Sequence, residues 1–437
     1  MHDTAHHAPR GYRWFIFGLL ALGYVLVYFH RLCPAVLAVD LMRDLNAGGS
    51  LTGFLGAAYF YPYALMQLPA GLLSDSWGPR NTIACFFVVA FAGSIVLGLA
   101  PSAGWAIAGR TLVGLGVAML FVPTMKIVAE WFSKREFARM AGLLLGVGGI
   151  GSLTAATPLV WLSTAFGWRH SFILVGCFTL LLAILVRLFV YDRPADRGWP
   201  PPDGHAGQAA EKAGLMEGIR TVLACRHFWP LALWFFFDFA VFFSFGGLWG
   251  GPYLMHVYGL SKAETGRVLT MLAVGLVAGA PLLSWLSDRV FGKRKPVLLL
   301  CGIVMLVITA LLVVFTDTIP LWGLYVLFFL FTVCGNAVGA VVFTMNKELF
   351  PVRIAGTATG LVNLFPFAGA AIAQPLIGAL LEYYGSTGGT FSIAGYRAAF
   401  AAFFVAMLIA IGAALFARET LGAQTAGIPG QERPSRI

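Results

Sequence analysis

Four ionisable side chains stand inside long apolar runs of this 437-residue chain: Arg31, Arg110, Lys126 and Asp238. Placing such a group at the centre of a membrane span costs at least about 2.5–3.5 kcal/mol, so each must face a cavity or a partner. The three cations lie in the first half and the carboxylate in the second. Tyr24, Tyr28, Arg31 and Ala35 recur at helical spacing, so a tyrosine stripe leads to Arg31. A guanidinium beside phenol hydroxyls is a good receptor for an organic anion, because its donors form a fixed fork. Arg31 also has a structural reading, paired with a backbone carbonyl or with Asp40.

Trp234, Asp238, Phe242, Phe245 and Trp249 share a helical face. That aromatic setting disfavours an ionised carboxylate, and a nearby Arg31 would favour it. Asp238 is therefore a candidate proton-coupling group. Its other readings are a counter-ion to Arg31, a contact for a substrate ammonium, and structural pairing. Arg110 and Lys126 are about 160° apart around an ideal helix, so one straight helix cannot aim both at one cavity. Pro123 offers a bend, and Lys126 is close enough to the helix end to snorkel. Tyr59, Tyr63 and Gln67 follow at four-residue steps; Asn336 shares a face with Lys347, and Asn363 with Gln374. Tyr59, Tyr63, Asn336 and Asn363 are candidates for bonding a polar solute, although interhelical hydrogen bonding is the commoner use.

The elements that position these groups are membrane helices. Apolar residues make up 59% of the chain and charged residues 11%, against about 25% charged in a soluble domain. Runs of about 20 apolar residues predict twelve spans, near 14–39, 51–73, 81–100, 105–131, 139–163, 168–190, 228–256, 265–287, 296–316, 320–346, 355–382 and 397–418. The first and seventh exceed what a bilayer needs, which predicts tilt or curvature. Residues 1–190 form one six-helix half and 228–420 the other. Residues 191–227 are a Pro- and Gly-rich linker with a short amphipathic helix near Leu215–Leu223, and 421–437 are a disordered tail.

With both termini on one side, twenty-one Lys and Arg fall on that side and five on the other. The positive-inside rule then places both termini in the cytoplasm, and the expected location is the inner membrane. The net charge of +10 is thus topological and calls for no nucleic acid. The first run is too long for a cleaved signal peptide. The six cysteines show no metal-binding spacing and read as small buried thiols. No cofactor is expected. GLLLGVGGIGS lacks the Lys-Ser/Thr of a phosphate loop.

A charged signature occurs twice. GLLSDSWGPRNT spans Gly71–Thr82 and SWLSDRVFGKRKP spans Ser284–Pro296, with Asp75 and Asp288 213 residues apart. Glu130-x-Phe132 and Gly142-Leu143 are echoed by Glu348-x-Phe350 and Gly360-Leu361 at an offset of 218. Such a chain has two similar halves, with a site expected between them.

Twelve spans, a long central loop and the doubled signature resemble the major facilitator superfamily. The resemblance implies an all-α membrane fold of two pseudo-symmetric six-helix bundles, with spans 1, 4, 7 and 10 lining a cavity. The first signature is then Gly71, Asp75, Gly78 and Arg80; the weaker second is Asp288, Gly292 and Arg294. Ser76 and Pro79 depart from the family's usual basic residues. The likeness implies that Asp75 latches onto the start of span 11, near Arg353, and Asp288 onto Arg135 or Arg139. A loop-folding role without gating is the alternative. The family's second signature appears as Arg110, Gly114, Gly116 and Ala118, which implies proton transfer or packing for Arg110.

The resulting expectation is a monomeric secondary transporter that imports a small anionic or zwitterionic solute, driven by protons. Export or exchange by the same fold is an alternative, and a non-transporting solute receptor is one of another class. Thr157-Pro158 replaces the Gly-Pro of drug antiporters. Asp238 stands where a sugar-phosphate antiporter would carry a second cavity arginine. YFHRLCPAVLAVDLMRDL followed by YFYPYALMQLPAGLL most resembles bacterial amino-acid permeases.

Overall fold

The computed structural model describes residues 10–200, 215–351, 354–387 and 389–421. The chain crosses the membrane twelve times. Among the described residues, ten helices are long and apolar enough to do so by themselves; the second and fifth passages are built differently.

In the first half, α1 (Arg10–Leu45) is followed by a second passage in three pieces: α2 (Gly49–Ala57), α3 (Phe60–Leu65) and α4 (Gln67–Ser76). Pro62 and Pro69 in this stretch each remove a backbone donor, which accounts for short segments in place of one helix. The third passage is α5 (Pro79–Gly98), and the fourth is α6 (Ala103–Ala118) with α7 (Phe121–Trp131), broken just before Pro123. The fifth is α8 (Lys134–Thr154), opened by a Ser133–Glu136 capping box.

The fifth and sixth passages part at Gly167, between the predicted spans 139–163 and 168–190, and the fifth is itself interrupted. The chain breaks at Ala155–Ala156, and α9 (Thr157–Phe189) carries a second turn at Gly167, where φ is 77°. Pro158 sits near the start of α9, where its missing N–H costs nothing.

The linker contributes α10 (Leu215–Ala224). The second half runs α11 (Phe228–Ser244), a π turn at Phe245–Trp249, α12 (Gly250–Tyr258), α13 (Lys262–Trp285), α14 (Lys295–Val314), α15 (Leu321–Thr332), a π turn at Val333–Ala337, α16 (Gly339–Leu349), α17 (Ala355–Tyr383) and α18 (Ile393–Phe416). A short hairpin, β1 (Ser386–Thr387) with β2 (Thr390–Phe391), joins the last two passages. Its Phe391 packs on Trp249.

An even number of passages puts both described chain ends on one face, here the terminal side; the other is the far side. The two halves repeat one device on the terminal side. Asp192, just past α9, accepts the N–H of Arg80 at the start of α5 at 2.7 Å. Glu419, just past α18, accepts the N–H groups of Arg294 and Lys295 at the start of α14 at 2.9 and 3.0 Å. A carboxylate there satisfies orphan donors and favours the positive helix end. Burial pushes Glu419 up, but the backbone N–H groups of Arg294, Lys295, Leu421 and Thr420 outweigh it and hold the carboxyl below its ordinary range. Cys33, Cys301 and Cys334 are buried, but Cys85 and Cys177 are exposed, contrary to a uniform buried reading.

Candidate functional site

Arg31 is where the two halves meet. Its guanidinium carbon lies 4.8 Å from the Tyr28 ring centre, 4.6 Å from Tyr63 and 4.9 Å from Phe367. Its Nη2 donates to the Tyr63 hydroxyl at 2.5 Å. Tyr28 shares α1, Tyr63 comes from α3, and Phe367 from α17 of the second half. Arg31 is buried, and its Nε has no partner among the described residues. Among those residues no carboxylate comes within ion-pairing distance, so Asp40 is not its counter-ion; Asp40 pairs with Lys262. A desolvated guanidinium held by aromatic faces and one phenol has strong affinity for an entering anion.

The flanking tyrosines are placed by close packing. Gly148 of α8 lets the Tyr28 ring in, since a Cβ there would sit 2.6 Å from it. Tyr24 meets Tyr28 edge-on at 5.5 Å, continuing the stripe toward the terminal side. Tyr59 stacks on Tyr63 at 5.6 Å, and its hydroxyl donates to the Val27 carbonyl at 3.3 Å. One turn past Tyr63, Gln67 donates to the Tyr63 carbonyl at 2.9 Å and accepts from Asn363 Nδ2 at 2.6 Å. This bond joins the halves on the terminal side of the cage. Phe367 was missed in the sequence. The Gln67–Asn363 pairing was also missed, although both residues stood out on their own helices.

Arg110 serves the backbone. Pro34 deprives the His30 carbonyl of its helical donor, and Arg110 Nη1 donates to that oxygen at 2.9 Å. Its Nε donates to the Leu55 carbonyl at 3.4 Å, beside the break between α2 and α3. Its guanidinium lies 5.2 Å from the Tyr59 ring. Arg110 therefore braces the cage from behind.

Three sequence candidates lie away from the cage. Lys126, a candidate either to line the cavity or to snorkel, does the latter: its ammonium is 2.5 Å from Asp75 and 3.1 Å from the Gly71 carbonyl. Its long stem reaches the terminal-side loop, where a carboxylate compensates the charge. Asp238 is fully buried, and neither carboxylate oxygen has a hydrogen-bond partner among the described residues. It lies beside Cys334, and Phe242 on its face stacks on Phe331 at 5.6 Å. That face points into the second half, so the counter-ion reading with Arg31 is not realised. Asn336 sits nearly buried in the π turn at Val333–Ala337 and makes no side-chain hydrogen bond among the described residues.

The loop signatures tie helices within each half. Gly78 adopts φ 84°, and a Cβ there would meet Asp192 at 2.4 Å. Arg80 Nε donates to the Arg187 carbonyl at 3.0 Å, and its guanidinium covers the Tyr191 ring. Asp288 pairs with Arg294 at 2.5 Å, and Arg294 reaches Glu348 at 3.1 Å. This corrects the expected partner of Asp288. Arg139 makes no such pair among the described residues, and the Arg135 side chain and Arg353 lie outside them.

On the far side the halves are locked. Lys262 at the start of α13 pairs with Asp40 of α1. Glu382 of α17 accepts the Ser50 N–H at the start of α2 at 3.0 Å. Backbones meet at glycines: a Cβ on Gly251 would sit 1.6 Å from the Ala35 carbonyl oxygen, and one on Gly53 2.4 Å from that of Gln374. The structure is therefore closed toward the far side.

The family model described as Major Facilitator Superfamily matches residues 20–250 and 239–435. The hexuronate transporter of Escherichia coli (strain K12) is 26% identical over 396 residues, covering 86% of this chain and 89% of that protein. The galacturonate transporter of Dickeya chrysanthemi is 28% identical over 262 residues, covering 58% and 75%. Among solved structures, a bacterial homolog to the human lysosomal transporter Spinster, described as inward-facing and unoccupied, aligns with a TM-score of 0.75. It is 19% identical and the alignment covers 94% of this chain and 98% of that one, a likeness of fold. With both halves matched and the twelve-passage fold shared, the chain belongs to the Major Facilitator Superfamily.

Proposed function

We propose that this secondary transporter, a carrier of a small organic anion and not an enzyme, takes a sugar-acid monocarboxylate as its solute. One observation carries the reading: the Arg31 guanidinium is buried at the seam between the halves, with three aromatic faces around it and no carboxylate paired to it among the described residues. A carboxylate entering the cage would take the forked donors. Hydroxyls on the same solute would exchange bonds with Tyr63, Gln67 and Asn363, and with Tyr24 and Tyr28 along the stripe. An amino acid is disfavoured, because its ammonium would find no carboxylate in the cage once Asp238 is turned away. The names of the relatives support sugar acids.

The terminal side is read as cytoplasmic from its excess of Lys and Arg. The far-side lock then belongs to the state that exchanges solute with the cytoplasm. We assign inward movement driven by protons, with Asp238 as the proton-carrying group. Ionised in its present setting it would be an uncompensated buried charge, so its charge must change together with a rearrangement of the seventh passage.

The test is uptake into proteoliposomes of a labelled hexuronate, a small hydroxyl-free monocarboxylate and an amino acid, with and without an inward proton gradient. Hexuronate accumulation should fall roughly 30-fold or more in Arg31→Gln. Asp238→Asn should lose gradient-driven accumulation and keep exchange of preloaded solute. Accumulation that survives Asp238→Asn removes that carboxylate from coupling. Saturable binding without accumulation in wild type would make the chain a receptor.

A further inference from the structure

A groove on the surface lies outside the transport path. It has a volume of about 450 Å³ and runs between α5 and α9 on the terminal side, lined by Asn81, Ala84, Cys85 and Val88 of α5, by Ala183, Ile184, Arg187 and Leu188 of α9, and by Trp77 of the loop signature. Its polarity is graded. α5 enters the membrane from the terminal side and α9 leaves it there, so Trp77, Asn81 and Arg187 stand at the mouth. Ala84 and Ala183 lie one turn deeper and are buried, forming a floor without bulk. Val88 and Ile184 are exposed beside that floor.

The mouth carries donors that the protein does not use. Arg187 is exposed, and among the described residues its guanidinium has neither a hydrogen-bond nor an ion-pair partner. Only its carbonyl is engaged, by Arg80. Arg80 itself is occupied by that carbonyl and the Tyr191 ring. The Asp192 carboxylate, five residues on from Arg187, is occupied by the Arg80 N–H. Trp77 is 52% exposed, and its indole N–H has no partner among the described residues. A free guanidinium and an indole donor at interface depth, above a smooth apolar channel, match a lipid with an anionic headgroup and an acyl chain below it.

We propose that this groove binds an anionic phospholipid from the leaflet on the terminal side, with its phosphate on Arg187 and Trp77 and one acyl chain over Ala84 and Ala183. The headgroup then contacts the residue before Gly78, in the loop that joins α4 to α5. The bound lipid braces the packing of α5 on α9 and, through Trp77, the end of α4 where Asp75 meets Lys126 of α7.

The test uses the full-length protein in detergent, with phosphatidylglycerol or phosphatidylcholine of identical chains added. Retained lipid is counted by native mass spectrometry and stability by thermal melting. Wild type should retain phosphatidylglycerol preferentially and gain melting temperature from it. Arg187→Gln, a surface change, should weaken that retention roughly fivefold, and Ala183→Phe, which fills the channel, should abolish it. Arg289→Gln removes another exposed arginine, on the terminal side of the other half, and should change nothing. Equal retention of the two lipids, unchanged retention in Arg187→Gln, or equal losses in Arg187→Gln and Arg289→Gln would each overturn the proposal.

Discussion

Arg110 and Arg31 look alike in sequence, as lone cations in apolar helices, yet they end in opposite roles. The difference comes from proline. Pro34 and the break after α2 create two buried carbonyls without helical donors, and Arg110 supplies both. Arg31 has no such acceptor and faces rings instead. Replacing Arg110 by Met, of similar length but without donors, should cost about 2–6 kcal/mol, as two buried acceptors lose its bonds at about 1–3 kcal/mol each. Thermal melting of the purified variant checks this. A proton-transfer role would predict near-normal melting with the gradient response gone. Periodicity made the Tyr24–Tyr28–Arg31 stripe legible, because one helix sets it. It could not reveal Phe367, contributed from the other half, nor that Lys126 is captured by Asp75 on a neighbouring helix. The facing of Asp238 was hidden for another reason: α11 carries Phe235, Phe236, Phe237, Phe239, Phe242 and Phe243 around its whole circumference, so no apolar stripe marks its inner side.

At the scale of elements, the interrupted passages are the informative ones. The second, fourth, fifth, seventh and tenth are each broken by a turn or a π segment, and the second and seventh also carry far-side glycine contacts. The fifth span carries a glycine run, Gly142, Gly146, Gly148, Gly149 and Gly151. Within it Gly148 and Gly151 admit α1, and Gly149 touches Val277, whereas a Cβ on Gly142 or Gly146 would meet nothing within 4 Å. The tightest approach is elsewhere, at Gly251, where α12 crosses α1. It followed no visible pattern, because closeness between helices depends on both partners. Gly251→Ala should force α1 and α12 apart and favour the far-side-open state. A cysteine introduced at Ser50, then titrated with a membrane-impermeant maleimide, should react several-fold faster in that background. Unchanged labelling would mean that the helices absorb the methyl by sliding while the seal stays intact.

For the whole molecule, the number of passages and the division into halves followed from the length of the apolar runs and the doubled signature. The state of the molecule did not, because it depends on weak contacts between halves that are remote in sequence. Toward the far side these include the Asp40–Lys262 pair, the Glu382 carboxylate on the Ser50 N–H and the Thr157–Thr270 hydroxyl contact. On the terminal side, among the described residues, the one side-chain hydrogen bond between halves is Gln67–Asn363. A partly exposed ion pair is worth about 0.2–1 kcal/mol and a helix-capping carboxylate about 0.5–2 kcal/mol. Asp40→Asn with Glu382→Gln should therefore remove about 1–3 kcal/mol of preference for the far-side-closed state, a roughly 5- to 150-fold shift in the ratio of states. Spin labels at Asn46 and Thr318, both exposed on the far side, would report it as a new, longer distance population in the double variant. The cage itself is untouched by these changes, so solute affinity measured in the closed state should stay constant while the apparent affinity drops with that state's population. A distance distribution identical to wild type would assign the closure to the glycine-packed backbones alone, and the two carboxylates would then be trimming an interface that geometry has already shut.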